Sequence, residues 1–217
     1  MNKTSICMPH TTSIQNARSS VLIGIAGGSG SGKTTFVGEL RQRLGKELCS
    51  VLSQDAYYKD QRRNFNGDGS INFDHPRSMD LRLMAFHLDL LKEGRAVAVP
   101  NYCFRSHRRL DSVTRQQASG VILVEGTLVL YEEALRRQLN MAVYIDTPEN
   151  VRLERRIQRD TQNRGRTVAG CQKQFFTSVK PMHDEFIEPS REYADIVYPG
   201  TGSFMPLILE CTKRLSL

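Results

Sequence analysis

The 217-residue sequence has no apolar run long enough to cross a bilayer. Its longest, around Val21–Ala26 and Val121–Val124, fall far short of the roughly 20 residues that a membrane helix needs. Cysteine is sparse: Cys7, Cys49, Cys103, Cys171 and Cys211 are widely spaced, and no CxxC occurs. An odd count at such spacings supports neither a disulfide framework nor a zinc site, and it suits reduced thiols in a cytosol. Residues 1–20 hold no acid and no apolar core of a secretion signal. They read as a flexible tail, with an organelle-targeting leader as the alternative. No internal repeat is visible. Membrane-spanning, collagen-like and wholly disordered classes are excluded.

What is present is ordinary in amount and uneven in sign. Apolar residues make up 39% and charged residues 24%, as in a soluble globular protein. The length fits one domain, residues 21–217, with its own core. Lys and Arg outnumber Asp and Glu by 30 to 23, a formal charge of +7. That excess leaves nucleic acid, an acidic membrane and a small anionic substrate open.

Strand-like and helix-like segments alternate along the chain. Val21–Ala26 is a short branched run. A helix is predicted from about Lys33 to Leu44, with Phe36, Val37, Leu40 and Leu44 on one face. Ser50–Leu52 reads as a strand, and residues 60–78 as a polar, turn-rich stretch with Asn66-Gly67-Asp68-Gly69 as a link. A helix from Asp80 to Lys92 has Asp80 as N-cap and Gly94 as stop. Ala96–Val99 is expected to be a strand ended by Pro100. Val121–Glu125 and Ala142–Ile145 are buried strands, with a short helix near Glu132–Gln138 between them. Pro148 suits the start of a helix running to about Gln162. Asp195–Val197 is the expected last strand, and the segment from Phe204 is expected to be helical. Continuous apolar strands between helices predict an α/β fold, a mostly parallel sheet covered on both faces. The Arg-rich stretch 95–118 is expected to form a small β insert.

Gly27-Gly28-Ser29-Gly30-Ser31-Gly32-Lys33-Thr34, followed by Thr35, fits GxxxxGK[ST]. Glycines let backbone N–H groups curl around phosphate oxygens, and the next helix points its positive end at them. Lys33 can reach the β and γ phosphates, and the Thr34 hydroxyl suits Mg²⁺. The pattern lies between a strand and a helix, so a P-loop NTPase fold binding a nucleoside triphosphate is predicted. Glu125 ends a buried strand, as an acid holding the metal's water shell does.

A P-loop serves ATPases, GTPases and small-molecule kinases alike. The NKxD-type motif of a guanine-specific GTPase is missing. Six arginines lie between residues 151 and 166; against Glu154 and Asp160 they leave +4 there. Arg152, Arg156 and Arg159 are spaced i, i+4, i+7, on one helix face. The competing reading is a solvated basic face. Beside a P-loop, the face is expected to form a lid, about residues 151–178, that clamps the transferring phosphoryl group. Transfer to a hydroxyl also needs an acid near the attacking oxygen. Asp55 follows a strand directly, on the ligand side of an open α/β sheet, although a lone Asp after a strand is more often a turn or helix cap.

These residues resemble the uridine kinase (uridine–cytidine kinase) family over about residues 21–200. The matching stretches are Gly27–Thr35, Gln54-Asp55 through Tyr58-Lys59, Asn72-Phe73-Asp74-His75-Pro76, Pro100–Arg108 and Val124-Glu125-Gly126. Further along they are Asp146-Thr147, Arg155-Arg156, Arg159-Asp160, Arg164-Gly165-Arg166, Lys180-Pro181 and Tyr193-Ala194-Asp195. The resemblance implies transfer of the γ-phosphate of ATP or GTP to the 5′-hydroxyl of uridine or cytidine with Mg²⁺. It implies Asp55 as base and metal neighbour, with Arg159 and Arg164 facing phosphates. Tyr58 and Phe73 would line the nucleoside pocket. Asp74, Arg156 and Gln174 would hold the ribose, while Tyr102, Phe104, His107 and Arg166 would surround the pyrimidine. It also implies a cytoplasmic homotetramer that binds neither nucleic acid nor membrane. The family pattern Pro-x-Tyr-Asp-Phe becomes Pro100-Asn101-Tyr102-Cys103-Phe104 here, a neutral thiol in place of an acid. A phosphoribulokinase-like or pantothenate kinase-like enzyme is the nearest rival, and a basic P-loop switch protein binding nucleic acid a more distant one.

Overall fold

A computed structural model of the chain describes residues 20–61, 72–104 and 106–215. The expected tail, apart from Ser20, and the Asn66–Gly69 link lie outside the described residues. The strands are β1 (Val21–Ala26), β2 (Cys49–Ser53), β3 (Val97–Cys103), β4 (Arg108–Gln116), β5 (Val121–Glu125), β6 (Met141–Asp146) and β7 (Ile196–Pro199). The helices are α1 (Lys33–Leu44), α2 (Leu81–Lys92), α3 (Glu133–Arg136), α4 (Glu149–Arg164), α5 (Val168–Gln174), α6 (Lys180–Met182) and α7 (Met205–Arg214). Five strands form one parallel sheet in the order β2-β5-β1-β6-β7. β3 and β4 pair with each other as a separate antiparallel ribbon.

Strand alternation divides the core in two. Leu22 and Ala26 of β1 face Leu52, Ile122, Val124 and Tyr144, and α2 covers them with Met84, Leu88 and Leu91. Ile23 and Ile25 face the other way, with Leu123 and Val143, under Phe36 and Leu40 of α1 and Leu207 and Ile208 of α7. Both faces of the sheet are therefore dry, which is why its strands carry apolar runs without polar alternation. Each fully buried Leu, Ile or Phe contributes about 1.5–3 kcal/mol. Among the described residues no helix is long and apolar enough to cross a membrane.

Local chemistry accounts for most boundaries. The Asp80 carboxylate accepts from Leu83 N at 3.3 Å and caps α2, and Gly94 stops it at φ 77°. α4 runs two residues past its expected end, to Arg164, before Gly165 turns at φ 65°. Pro148 is its N-cap residue and not its first helical residue. The expected stop at Pro100 does not occur: β3 continues through it to Cys103. The ladder shifts register between Pro100 and Tyr102, and a proline without an N–H is tolerated at such a bulge. Beyond α5 the helical path widens into π turns at Phe175–Val179 and His183–Ile187.

Candidate active site

Three neighbouring strand ends build the site. In the sheet β5 lies between β2 and β1, and Glu125 is level with Ser53 on one side and Ile25 on the other. The loop after β1, the Glu125 carboxylate and the turn carrying Asp55 therefore meet at the carboxyl edge. In an open parallel sheet this is where a crevice forms. A lock between the last two is visible. Gln54 is fully buried, and its Oε1 accepts from Leu128 N at 2.9 Å. A β-carbon on Gly126 would collide with the Gln54 side chain. Gly126 thus lets the two turns close on each other.

The loop folds as its glycines require. Gly30 has φ 81°, and a β-carbon there would run into the Arg152 carbonyl oxygen. The Lys33 ammonium curls back and donates to Gly27 O and Gly28 O, both at 2.9 Å. Burial lowers its pKa to about 8, against the opposing pull of Glu125 and Asp55. Thr34 Oγ1 donates to Glu125 Oε2 at 3.2 Å. Burial raises the Glu125 pKa, an effect that Lys33 opposes. These groups open on a cleft of about 490 Å³ lined by Ser29 to Thr35, Asp55, Glu125, Arg155, Arg156, Arg159 and Arg164. Gly27 and Gly28, also predicted to bind the triphosphate, do not line it; their carbonyls instead hold Lys33.

The basic helix face is not uniform. Arg152 belongs to it by spacing but does not line the cleft. It is 4% exposed and packs under Gly28, with its Nε donating to Thr147 O at 3.1 Å. It supports the loop from below, which corrects the expectation that it faces phosphates. Asp160, fully buried, gathers the others: Arg159 at 2.8 Å, Arg164 at 3.3 Å, Arg156 at 3.7 Å and Arg166 at 3.8 Å. Burial alone would raise its pKa, but the hydrogen bond and charge of Arg159, with Arg156 and Arg164, leave it lowered. In the sequence Asp160 stands as an offsetting charge and as part of the Arg159-Asp160 match, with no role at the site. Its i, i+4 relation to both Arg156 and Arg164 was the available signal.

A second, smaller pocket adjoins the cleft, lined by Tyr58, Phe73, Asp74, Tyr102, Phe104, His107, Arg156, Arg164, Arg166 and Gln174. All nine residues predicted for the acceptor are there. Tyr58 lies 5.0 Å from Tyr102 and 5.9 Å from Phe104, ring centre to ring centre. His107 takes φ 50° and stacks on Phe73 at 4.3 Å. Burial, with Arg166 and Arg164 nearby, lowers the His107 pKa and so favours the neutral ring. Gln174 Oε1 accepts from Arg156 Nη2 at 3.0 Å and from Arg166. Arg164, predicted to face phosphates, lines both spaces and lies 4.5 Å over the Phe104 ring. Arg155, which the family match includes without a site role, lines the cleft and donates to Gly200 O at 2.9 Å, and the Gly200–Phe204 side of the cleft was not foreseen. That wall comes from the loop after β7, which carries no recognisable motif.

Residues 22–203 match the model of the phosphoribulokinase / uridine kinase family. A uridine kinase of Staphylococcus aureus (strain JH9) is 43% identical over 187 residues, 86% of this chain and 90% of the relative. The chain belongs to the phosphoribulokinase / uridine kinase family. It is accordingly a phosphotransferase that binds nucleotide through its P-loop. Among solved structures, a putative fructose transport system kinase from Silicibacter sp. TM1040 superposes with a TM-score of 0.70 at 18% identity, over 85% of this chain and 92% of that one. A possible uridine kinase from Bacillus stearothermophilus gives 0.59 at 19% identity, over 83% and 89%. Phosphoribulokinase from Rhodobacter spheroides gives 0.59 at 15%, over 87% and 75%. At these identities the likeness shows the fold of the family, a P-loop kinase sheet.

Proposed function

We propose that this kinase transfers the γ-phosphate of ATP or GTP to the 5′-hydroxyl of uridine or cytidine, giving UMP or CMP. The observation that carries the reading is the shared wall between the two spaces. Tyr58, Asp74, Phe104, Arg156 and Arg164 line the P-loop cleft and the aromatic pocket alike. A triphosphate on the loop and a flat, hydroxylated acceptor among the rings would then meet beside Asp55. Flat aromatic faces suit a pyrimidine, and a carboxylate with a guanidinium suits a ribose diol.

In this reading Lys33 and the loop N–H groups hold the β and γ phosphates. Asp55 orients the 5′-hydroxyl and accepts its proton, and Arg159 and Arg164 stabilise the charge on the transferring group. Thr34, Glu125 and Asp55 offer only oxygen donors on one wall, the set that Mg²⁺ prefers. Bound there, Mg²⁺ would neutralise charge on the phosphates. A cytoplasmic role in pyrimidine salvage, and a homotetramer, follow from the family resemblance.

The test is a coupled assay with uridine, cytidine, adenosine, ribulose 5-phosphate and pantothenate as acceptors, each with ATP and with GTP. Turnover of uridine or cytidine well above the other acceptors is expected. Preference for ribulose 5-phosphate or pantothenate would replace the proposal with one of its rivals.

A further inference from the structure

The acid expected to face the ribose, Asp74, is held by a residue outside the nucleoside pocket. Asp74 lies in the tight turn that Asn72 organises. Asn72 Oδ1 accepts from Asp74 N at 3.0 Å, and Asn72 O accepts from the Ser78 hydroxyl at 2.6 Å. Such an Asx turn sets the backbone of Asp74 but leaves its carboxylate free to swing. The missing restraint comes from 104 residues away. Ser178 Oγ lies 2.9 Å from Asp74 Oδ2 and 2.8 Å from Asn72 Oδ1. One hydroxyl proton therefore serves both acceptors in a three-centre bond.

The local helix geometry aims this hydroxyl. Ser178 lies in the π turn Phe175–Val179, where Lys180 N bonds back to Phe175 O. Phe175 and Val179 on the inner side are buried, at 0% and 2% exposure. The widened turn keeps both in the core while Ser178 reaches the Asn72–Asp74 turn. Single π turns inside helices recur at functional sites for this reason. Four residues earlier on the same segment, Gln174 accepts from Arg156 and Arg166. One helical segment thus braces the carboxylate and the guanidinium at the ribose end together.

We propose that Ser178 is a positioning residue for the acceptor. It fixes Asp74 Oδ2 and so leaves Oδ1 to receive a ribose hydroxyl, which makes it a determinant of the preference for ribose over deoxyribose. This rests on the nucleoside kinase reading above.

The test compares wild type, Ser178→Ala and Ser178→Thr with uridine and 2′-deoxyuridine as acceptors. Ser178 is half-buried in a helix, and alanine is a strong helix former, so Ser178→Ala is expected to fold. Loss of this bond loosens the Asp74 carboxylate, so KM for uridine should rise roughly three- to tenfold in Ser178→Ala, the worth of one ordinary hydrogen bond. The preference for uridine over 2′-deoxyuridine should fall by a similar factor. The nucleotide KM and kcat should stay within about twofold, because the phosphate groups are held elsewhere. Ser178→Thr keeps the hydroxyl and should restore both. A serine that only stabilises the helix would lower the melting temperature and leave the ribose preference unchanged, and that result would overturn the proposal. No phosphorylation of uridine by the wild type would overturn the nucleoside reading and this inference together.

Discussion

Lys33 lends itself to a quantitative test, because its environment changes when a triphosphate arrives. The ammonium is enclosed and, among the described residues, donates to two carbonyl oxygens, Gly27 O and Gly28 O. Burial holds its pKa at about 8. Phosphate oxygens would supply the missing negative charge and return the pKa toward the ordinary lysine value of about 10.4. The charged form is the one that binds. Affinity is therefore full below pH 8 and falls as pH rises through it. With these two values, about half a proton is taken up per nucleotide at pH 8 and about 0.1 at pH 7. Between pH 7 and pH 9 the dissociation constant should rise about tenfold, worth about 1.4 kcal/mol. Few other groups interfere in that window. Burial raises the Tyr58 pKa well above the usual phenol range, and burial beside Arg166 and Arg164 lowers that of His107. The last ionisation of a terminal phosphate lies lower, at about pH 6. Isothermal calorimetry of nucleotide binding at pH 8, in buffers of different ionisation heat, reads the proton uptake directly. Lys33→Arg should take up no proton. An uptake under about 0.1 proton at pH 8, with affinity flat to pH 9, would refute the reasoning.

Further outcomes follow from other parts of the site. Asp55→Asn should lower kcat by about 10²–10⁴-fold while triphosphate binding stays intact, and wild-type turnover would remove Asp55 from the chemistry. Asp160→Asn leaves four guanidinium groups around a neutral amide and should cost roughly 3 kcal/mol in urea unfolding. Added nucleotide should recover more stability in that variant than in the wild type, since phosphates replace the lost charge; equal shifts would show that Asp160 does not organise the arginines. Gly126→Ala forces a methyl into the Gln54 side chain and should destabilise by roughly 1–3 kcal/mol. It should also reduce kcat by displacing Glu125, and an unchanged melting temperature together with unchanged turnover would dismiss the lock.

Much of this molecule was legible in the chain because the signals were local. The glycine spacing before Lys33, the apolar runs of β1, β5 and β6, and the cap at Asp80 each act within a few residues. The β3 boundary at Pro100 was not legible, because the register shift that makes room for a proline depends on pairing with β4. The basic helix was read as one face. Spacing places Arg152, Arg156 and Arg159 together, but only packing separates the one under the loop from the two beside the cleft. Helical spacing ties Asp160 to Arg156 and Arg164 but not to Arg166, which reaches it from beyond the helix end.

The sequence by itself determined the α/β class, the phosphate loop and, through the residues it shares with a known family, which side chains line the smaller aromatic pocket. Those features depend on backbone propensity and on short spacings. Tertiary structure alone decided which groups touch. It set Glu125 level with Ser53, closed Gly126 against Gln54, drew the arginines around one buried carboxylate and brought Ser178 to Asp74. Apart from the arginines that share α4 with Asp160, these contacts join residues far apart in the chain or on different elements. Their meeting is set by sheet order, by register and by a widened helical turn, none of which a local reading of the chain contains.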